Sequence, residues 1–151
     1  MSSLLTISEC IAAHARLRPS KIGARDSKRS LSYAQWDERA SRLANALLGL
    51  GLTKGDRVAL LAYNAVEWLE IYVALARAGL VAVPINFRLV GPEIAYIVEH
   101  CEARAFLVQE DLRSVVEGIR SLLPVDAGRY VLFGAEPSAG WQSYEALIGA
   151  A

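Results

Sequence analysis

The sequence predicts an α/β domain built on an open, mostly parallel sheet with helices on both faces. Two patterns indicate this fold. Apolar runs without alternation, such as residues 57–63, are typical of strands that helices cover on both sides. Amphipathic segments with helical spacing separate these runs, so strands and helices alternate along the chain. This alternation favours parallel strands joined by right-handed crossovers, as in Rossmann-like and flavodoxin-like layering.

Length and composition place the chain among globular proteins. Its 151 residues suffice for one domain with a real core, and 54% of them are hydrophobic against 21% charged. Sixteen basic residues balance sixteen acidic ones, so no overall field attracts nucleic acid or an anionic membrane. Residues 1–10 lack the pattern of a secretory signal, and two cysteines make no disulfide framework. We therefore expect a cytoplasmic protein.

The first 34 residues predict a helix and a small hairpin. Thr6 and Glu9 have the spacing of a capping box, and apolar residues then recur at helical spacing until Pro19. Residues 21–26 and 29–33 flank a turn and are typical of paired strands.

The next segment predicts a helix followed by a strand. Ser32 and Gln35 form a second capping box, and the apolar stripe that follows ends near Gly51. Residues 57–63 then predict the first strand of the parallel sheet.

A third helix, apolar almost all round, is expected after this strand. Asn64 and Glu67 have the spacing of a helix cap, and Gly79 marks the end of the helix. Its charged residues Glu67, Glu70 and Arg77 fall on a single stripe, so the helix should be nearly engulfed.

The rest of the chain continues the alternation. We expect strands at residues 80–85, 105–108 and 129–133, helices beginning near residues 92, 112 and 141, and a loop at 134–140. The stripe at 112–123 predicts one continuous helix, and 129–133 is expected to be the last strand. The expected divisions are a helix and hairpin at 1–34, an α/β subdomain at 35–134, and a linker with the start of a further helix at 135–151.

Several motifs that could bind phosphate or metal have structural interpretations. The glycine-rich stretch at 49–55 ends a helix instead of opening one, so it does not fit a phosphate loop. Two pairs, Cys10 with His14 and His100 with Cys101, have side chains of the types that bind zinc. The second pair are neighbours on a helix and point about 100° apart, so both cannot easily face one metal ion. The acidic pair at 110–111 is interpreted as a helix start. We expect neither a metal site nor catalytic residues.

The stretch at 86–88 is the strongest candidate for a binding site. Asn86, Phe87 and Arg88 follow the carboxyl end of a predicted parallel strand, where open α/β sheets bind ligands. An arginine there can hold a phosphate with two parallel hydrogen bonds. The alternative is structural: Arg88 caps the carboxyl end of a helix or pairs with Glu67 or Glu93.

Residues 31–108 resemble the amino-terminal region of the adenylate-forming superfamily, in particular the AMP-forming acyl-CoA synthetases. The motifs that support the resemblance are LSY at 31–33, KGDRV at 54–58, NxxEW at 64–68, AG at 78–79 and VPINFR at 83–88. They come in the family's order and spacing. The resemblance covers nearly the whole chain and weakens after residue 133.

The resemblance implies an enzyme that uses ATP and magnesium to convert a carboxylic acid into an acyl-adenylate and then transfers the acyl group to CoA. The family's phosphate loop, its adenine and magnesium motifs and its catalytic lysine are not in these 151 residues. The chain alone is therefore expected to be inactive, with Arg88 near the CoA phosphates. The alternative is a stand-alone flavodoxin-like binding or interaction module. An amino-terminal fragment should also expose an apolar face, through which we expect a homodimer. Within this family, the stretch VPINFRL at 83–89 favours a fatty or aromatic acid as substrate.

Overall fold

The computed structural model describes residues 6–135 and 138–151. In these ranges the helices are α1 (Ile7–Leu17), α2 (Tyr33–Gly49), α3 (Glu67–Ala78), α4 (Gly91–His100), α5 (Arg113–Ile119) and α6 (Tyr144–Ala150). The strands are β1 (Ile22–Arg25), β2 (Ser30–Ser32), β3 (Arg57–Leu61), β4 (Val81–Pro84), β5 (Ala105–Gln109), β6 (Tyr130–Phe133) and β7 (Gln142–Ser143). Two stretches lie outside the described residues: residues 1–5, which are half of the stretch without a secretory-signal pattern, and residues 136–137 of the loop expected at 134–140.

Five of the described strands form one parallel sheet in the order β4-β3-β5-β6-β7. Numbered along the chain, this order is 2-1-3-4-5, the order of flavodoxin-like folds. β4 therefore lies at one edge of the sheet. β3 lies between β4 and β5. The order in which the strands are added to the sheet reverses its direction between β3 and β5. The predicted fold class, an open parallel sheet between two layers of helices, is confirmed.

Helices cover the two faces of the sheet with separate apolar cores. On one face α2, α3 and α6 pack against Val58, Leu60 and Leu107. On the other face α4 and α5 pack against Leu61 and Phe106. Alternate residues of each strand thus enter opposite cores, and this explains why the strands read as unbroken apolar runs.

The helix starts that depend on nearby residues form as predicted. The hydroxyl of Thr6 accepts the N–H of Glu9 while the Glu9 carboxylate accepts the N–H of Thr6, and Ser32 and Gln35 repeat this exchange at α2. β1 and β2 pair antiparallel as the expected hairpin. At the end of α3, Gly79 takes the left-handed conformation, with φ +70°, that stops the helix.

The predicted cap of α3 was wrong. Asn64 does not cap this helix, which begins at Glu67 without a side-chain cap from its own segment. Asp26, in the turn of the hairpin, instead accepts the N–H of Val66 at 2.9 Å and the N–H groups of Lys28 and Arg29 at 2.8 Å. These hydrogen bonds, led by the one from Arg29, lower the pKa of Asp26 to about 2. One carboxylate thus fixes the hairpin turn and joins it to the start of α3.

Two predictions for the last third of the chain were also wrong. The stripe at 112–123 does not form one helix: the seven-residue α5 stands between single 3₁₀ turns at Glu110–Leu112 and Arg120–Leu122. Gly118 weakens the helix just before the second turn. Beyond it the Arg120 guanidinium stacks on Tyr130, 3.9 Å from the ring centroid. In addition, the strand at 129–133 is not the last, because the two-residue β7 pairs with β6.

Candidate functional site

The loop after β4 presents Arg88 at the carboxyl edge of the sheet. Buried Ile85 still pairs with β3, and the next three residues are exposed. The side-chain oxygen of Asn86 accepts the N–H of Arg88 at 3.0 Å, and the Asn86 carbonyl accepts the N–H of Leu89 at 3.1 Å. Asparagine is suited to such a turn because its side chain imitates a backbone carbonyl. The loop is therefore an ordered turn directed away from the core.

The Arg88 guanidinium has no ion pair within residues 6–135 and 138–151. The two acids proposed as structural partners are engaged elsewhere. Glu67 pairs with Arg29 at 3.1 Å, and the Glu93 carboxylate accepts the N–H of Val90 at 3.0 Å at the start of α4. An exposed guanidinium of this kind can bind a phosphate without first breaking an internal contact.

Two exposed aromatic rings lie beside Arg88. The rings of Phe87 and Tyr63 meet edge to face, with centroids 4.8 Å apart, although 38% and 41% of these residues are exposed. The Arg88 guanidinium carbon lies 5.6 Å from the Phe87 centroid. The carboxyl edge at β3 and β4 thus combines a cation with aromatic surface, a composition suited to a phosphate attached to a planar group.

The peptide groups on both sides of Tyr63 are held by side chains. Its N–H donates to Oε1 of Gln109 at 2.8 Å, and its carbonyl accepts the indole N–H of Trp68 at 2.8 Å. Nε2 of Gln109 donates in turn to Asp111 at 3.0 Å. Gln109 is the last residue of β5 and is 9% exposed. Sequence reasoning missed it because a single amide at the end of an apolar strand gives no periodic signal.

The crevice between the carboxyl ends of β3 and β5 is small. It is the topological switch point of the sheet, where doubly wound folds bind their ligands. The turn of the hairpin covers it, and with Asn64 and Gln109 it lines a cavity of about 120 Å³. A wider groove of about 490 Å³ lies beside the start of α3, against Trp68 and Tyr72. Only the second has the volume usual for a small-molecule site.

A buried acid on the charged stripe of α3 lies between helices. Glu70 has no exposed surface; it accepts hydrogen bonds from Arg39, from Arg29 at 3.1 Å and from the Tyr144 hydroxyl at 2.8 Å. Arg39 also pairs with Glu145 of α6 at 2.7 Å. Burial and the Glu70 carboxylate raise the pKa of Tyr144 well above its ordinary value, so its hydroxyl remains a donor. We call these residues, with Glu67, the Glu70 cluster.

Three of the candidate metal ligands, His14, Glu110 and Asp111, have other contacts. His14 stacks on Tyr33 with centroids 4.8 Å apart, as a packing histidine would, but its Nδ1 has no hydrogen-bond partner among the described residues. Asp111 accepts from Gln109, and Glu110 pairs with Arg113 at 3.6 Å. In the described part of the chain, no three His, Cys, Asp or Glu side chains are grouped as metal ligands. In the same residues, no helix has both the length and the apolar content needed to cross a bilayer.

The strand order and the exposed arginine define an α/β domain of flavodoxin-like order with a candidate anion-binding loop after its edge strand. The AMP-binding enzyme family matches residues 11–146 of this domain. The chain belongs to that family. The resemblance to the amino-terminal region of AMP-forming acyl-CoA synthetases is thereby confirmed.

Individual relatives agree with this assignment. An indoleacetate–CoA ligase of Aromatoleum aromaticum is 38% identical over 144 residues, which are 95% of this chain and 28% of that protein. A fatty acid–[acyl-carrier-protein] ligase, ScoC, of Streptomyces coeruleorubidus is 30% identical over 93% of this chain and 26% of that protein. The crystal structure of the anthranilate CoA ligase AuaEII with anthranoyl-AMP has a TM-score of 0.91 and 28% identity, over 99% of this chain and 29% of that one. This chain therefore spans between a quarter and a third of each relative.

Proposed function

We propose that the chain is the amino-terminal part of an AMP-forming ligase that activates a carboxylic acid with ATP and transfers the acyl group to CoA. The family match over residues 11–146 is the observation that carries this proposal. The first step joins the carboxylate to the α-phosphate of ATP and releases pyrophosphate. In the second step the CoA thiol attacks the acyl carbonyl and AMP leaves. The names of the relatives support an aromatic or fatty acid as substrate.

Within this chain, Arg88 is the residue we assign to CoA binding. Its guanidinium is exposed at the carboxyl end of the edge strand and carries no ion pair in the described residues. It can therefore donate two parallel hydrogen bonds to a phosphate of the CoA nucleotide. Phe87 and Tyr63 place aromatic surface beside that phosphate.

Residues 1–151 alone are proposed to bind CoA weakly and to catalyse neither step. A pyrophosphate-exchange assay tests the second part: the chain should incorporate no labelled pyrophosphate into ATP with any acid supplied. Acid-dependent exchange by residues 1–151 would refute the inactivity. The same assay on a longer form of the protein tests the ligase function itself.

Titration with CoA tests the role of Arg88. Replacing Arg88 by alanine removes a hydrogen bond to a charged group, which contributes about 1.5–3 kcal/mol. The affinity for CoA should therefore fall roughly tenfold or more. Arg16→Ala removes the same charge from an exposed position on α1 and serves as the matched control. An equal loss in both variants would show that charge alone, and not the position of Arg88, governs the binding.

The flavodoxin-like strand order supports a second candidate function, that of a stand-alone binding module. Its expected ligand site is the switch point, where the cavity measures only about 120 Å³ and Gln109 is engaged with Tyr63. Nucleotide-sized ligands need roughly 300–1,000 Å³. Calorimetry with flavin mononucleotide separates the two proposals, because tight binding by residues 1–151 would favour the module.

A further inference from the structure

Gln109 is a buried polar side chain that the fold alone does not explain. Among the described residues, only Glu70 and Gln109 are polar or charged and also buried. Two arginines compensate the charge of Glu70. Gln109 has no such partner, and it lies at the end of an otherwise apolar strand. Because buried polar groups in proteins are almost always hydrogen-bonded, its two contacts indicate why an amide occupies this position.

One of the two contacts, the hydrogen bond from the N–H of Tyr63, fixes a residue that has just left the sheet. The pairing of β3 with β5 ends at Leu61 and Val108, so the strand ladder no longer supports Tyr63. Gln109 supplies an acceptor for the N–H of Tyr63, and Trp68 supplies a donor for its carbonyl. One side chain comes from β5 and the other from α3. Tyr63 is therefore held from two elements although its ring is partly exposed.

The ring of Tyr63 in turn supports the loop that carries Arg88. Phe87 meets it edge to face at 4.8 Å. On the other side of Phe87, the turn at residues 86–89 has only two internal hydrogen bonds, and Asn86 accepts both of them, from the N–H groups of Arg88 and Leu89. A series of contacts thus leads from the end of β5, across the end of β3, to the loop after β4.

We propose that Gln109 and Trp68 are positioning residues for Arg88, which they hold in place through Tyr63 and Phe87. The ligand of Arg88 is taken from the proposed function, namely a phosphate of the CoA nucleotide. By holding Tyr63 still, the two side chains fix the Phe87–Arg88 loop before the ligand arrives. A preorganised cation binds more tightly because less freedom is lost on binding. Neither residue touches the phosphate.

Two indole-to-phenyl exchanges separate positioning from general stability. Trp68→Phe removes the hydrogen bond to the Tyr63 carbonyl. Trp36→Phe is the matched control: the indole of Trp36 donates to the carbonyl of Leu69 at 3.0 Å and stacks on Tyr33, and among the described residues it has no hydrogen bond or ring contact with Tyr63 or Phe87. Gln109→Leu removes the acceptor from the other side of Tyr63 while keeping a side chain of similar size.

The variants of residues 1–151 are compared by NMR, with adenosine 3′,5′-bisphosphate as the phosphate probe. In Gln109→Leu and Trp68→Phe, the ring signals of Phe87 and the amide signal of Arg88 should shift before any probe is added. The affinity for the probe should then be at least threefold weaker than for the wild-type chain. Trp36→Phe should lower the unfolding midpoint without moving either signal or the affinity.

Unchanged Phe87 and Arg88 signals in both Gln109→Leu and Trp68→Phe would overturn the proposal. So would equal changes in Trp36→Phe, since they would show a general loss of stability. The proposed function fails in a different way: the wild-type chain would not bind the probe, while the two signals would still shift in the variants. If Gln109→Leu does not fold, Trp68→Phe with its control decides the question.

Discussion

Replacing Glu70 by glutamine would remove the central charge of the Glu70 cluster and leave the shape of the side chain unchanged. This α3 carboxylate has no exposed surface and contacts α2, α6 and the hairpin. Glutamine can still accept from the Tyr144 hydroxyl. However, Arg39 would then face a neutral amide in a region where 21% of its side chain is exposed. We expect the free energy of unfolding to fall.

The structure sets the size of this effect. Removing one partner of a fully buried ion pair destabilises proteins by about 3–5 kcal/mol. Here each arginine keeps a second carboxylate, because Arg39 pairs with Glu145 and Arg29 pairs with Glu67. The loss should therefore be smaller, about 2–3 kcal/mol, close to the contribution of hydrogen bonds to a charged group. Glu145→Gln is the control: that side chain is 60% exposed, so its pair with Arg39 should contribute less than about 1 kcal/mol.

Urea unfolding followed by circular dichroism measures both variants. The midpoint should fall in Glu70→Gln with an unchanged slope, since the surface exposed on unfolding stays the same. A Glu70→Gln protein as stable as the wild type would refute the reasoning. Equal stability would mean that the cost of desolvating the carboxylate offsets the free energy gained from the ion pairs and hydrogen bonds of the Glu70 cluster.

Two further predictions follow from Asp26 and Pro84. Backbone hydrogen bonds lower the pKa of Asp26 from the ordinary 3.8 to about 2. The contribution of Asp26 to the stability of the fold is therefore present above about pH 4 and is lost as the pH falls towards 2. The gap in urea midpoint between the wild type and Asp26→Asn should close over this range, and a gap that stays constant would contradict the assignment. At the sheet edge, the N–H of Val81 donates to Asp56, just before β3, and the N–H of Ile85 donates to Leu60 of β3. The backbone nitrogens of Ala82 and Pro84 therefore face outward, and Pro84 offers no donor there. Pro84→Val should therefore self-associate more than the wild type in sedimentation velocity, and an unchanged distribution would show that proline does not protect this edge.

The sequence predicted those parts of the fold that depend on neighbouring residues. The capping boxes at Thr6 and Ser32 join residues three positions apart, so their pattern is visible in the sequence and their geometry follows. The unbroken apolar runs indicated a sheet covered on both faces. Gly79 indicated a left-handed helix end, which the structure has.

The errors arose where distant residues decide the outcome. Asp26 lies 40 positions before Val66, so a local motif at Asn64 was mistaken for the cap of α3. The sequence pattern of the charged stripe that contains Glu70 is the same whether the stripe faces water or arginines from other elements. A two-residue strand such as β7 is too short to show periodicity.

The candidate site was predicted in part. The position of Arg88 after a parallel strand was accessible from the sequence, because the carboxyl ends of such strands share one edge. The residues that hold the Arg88 loop in place were not accessible from the sequence. The contacts of Tyr63 with Gln109 and Phe87 join three strands, and no spacing in the sequence indicates them.

The most direct test of the central claim is the location of bound CoA on residues 1–151. Mapping by NMR amide shifts during a CoA titration gives that location residue by residue. We predict that the largest shifts occur at residues 86–88 and at Tyr63, and that they disappear in Arg88→Ala. Shifts centred instead on Asn64 and the hairpin turn, at the switch point, would contradict it.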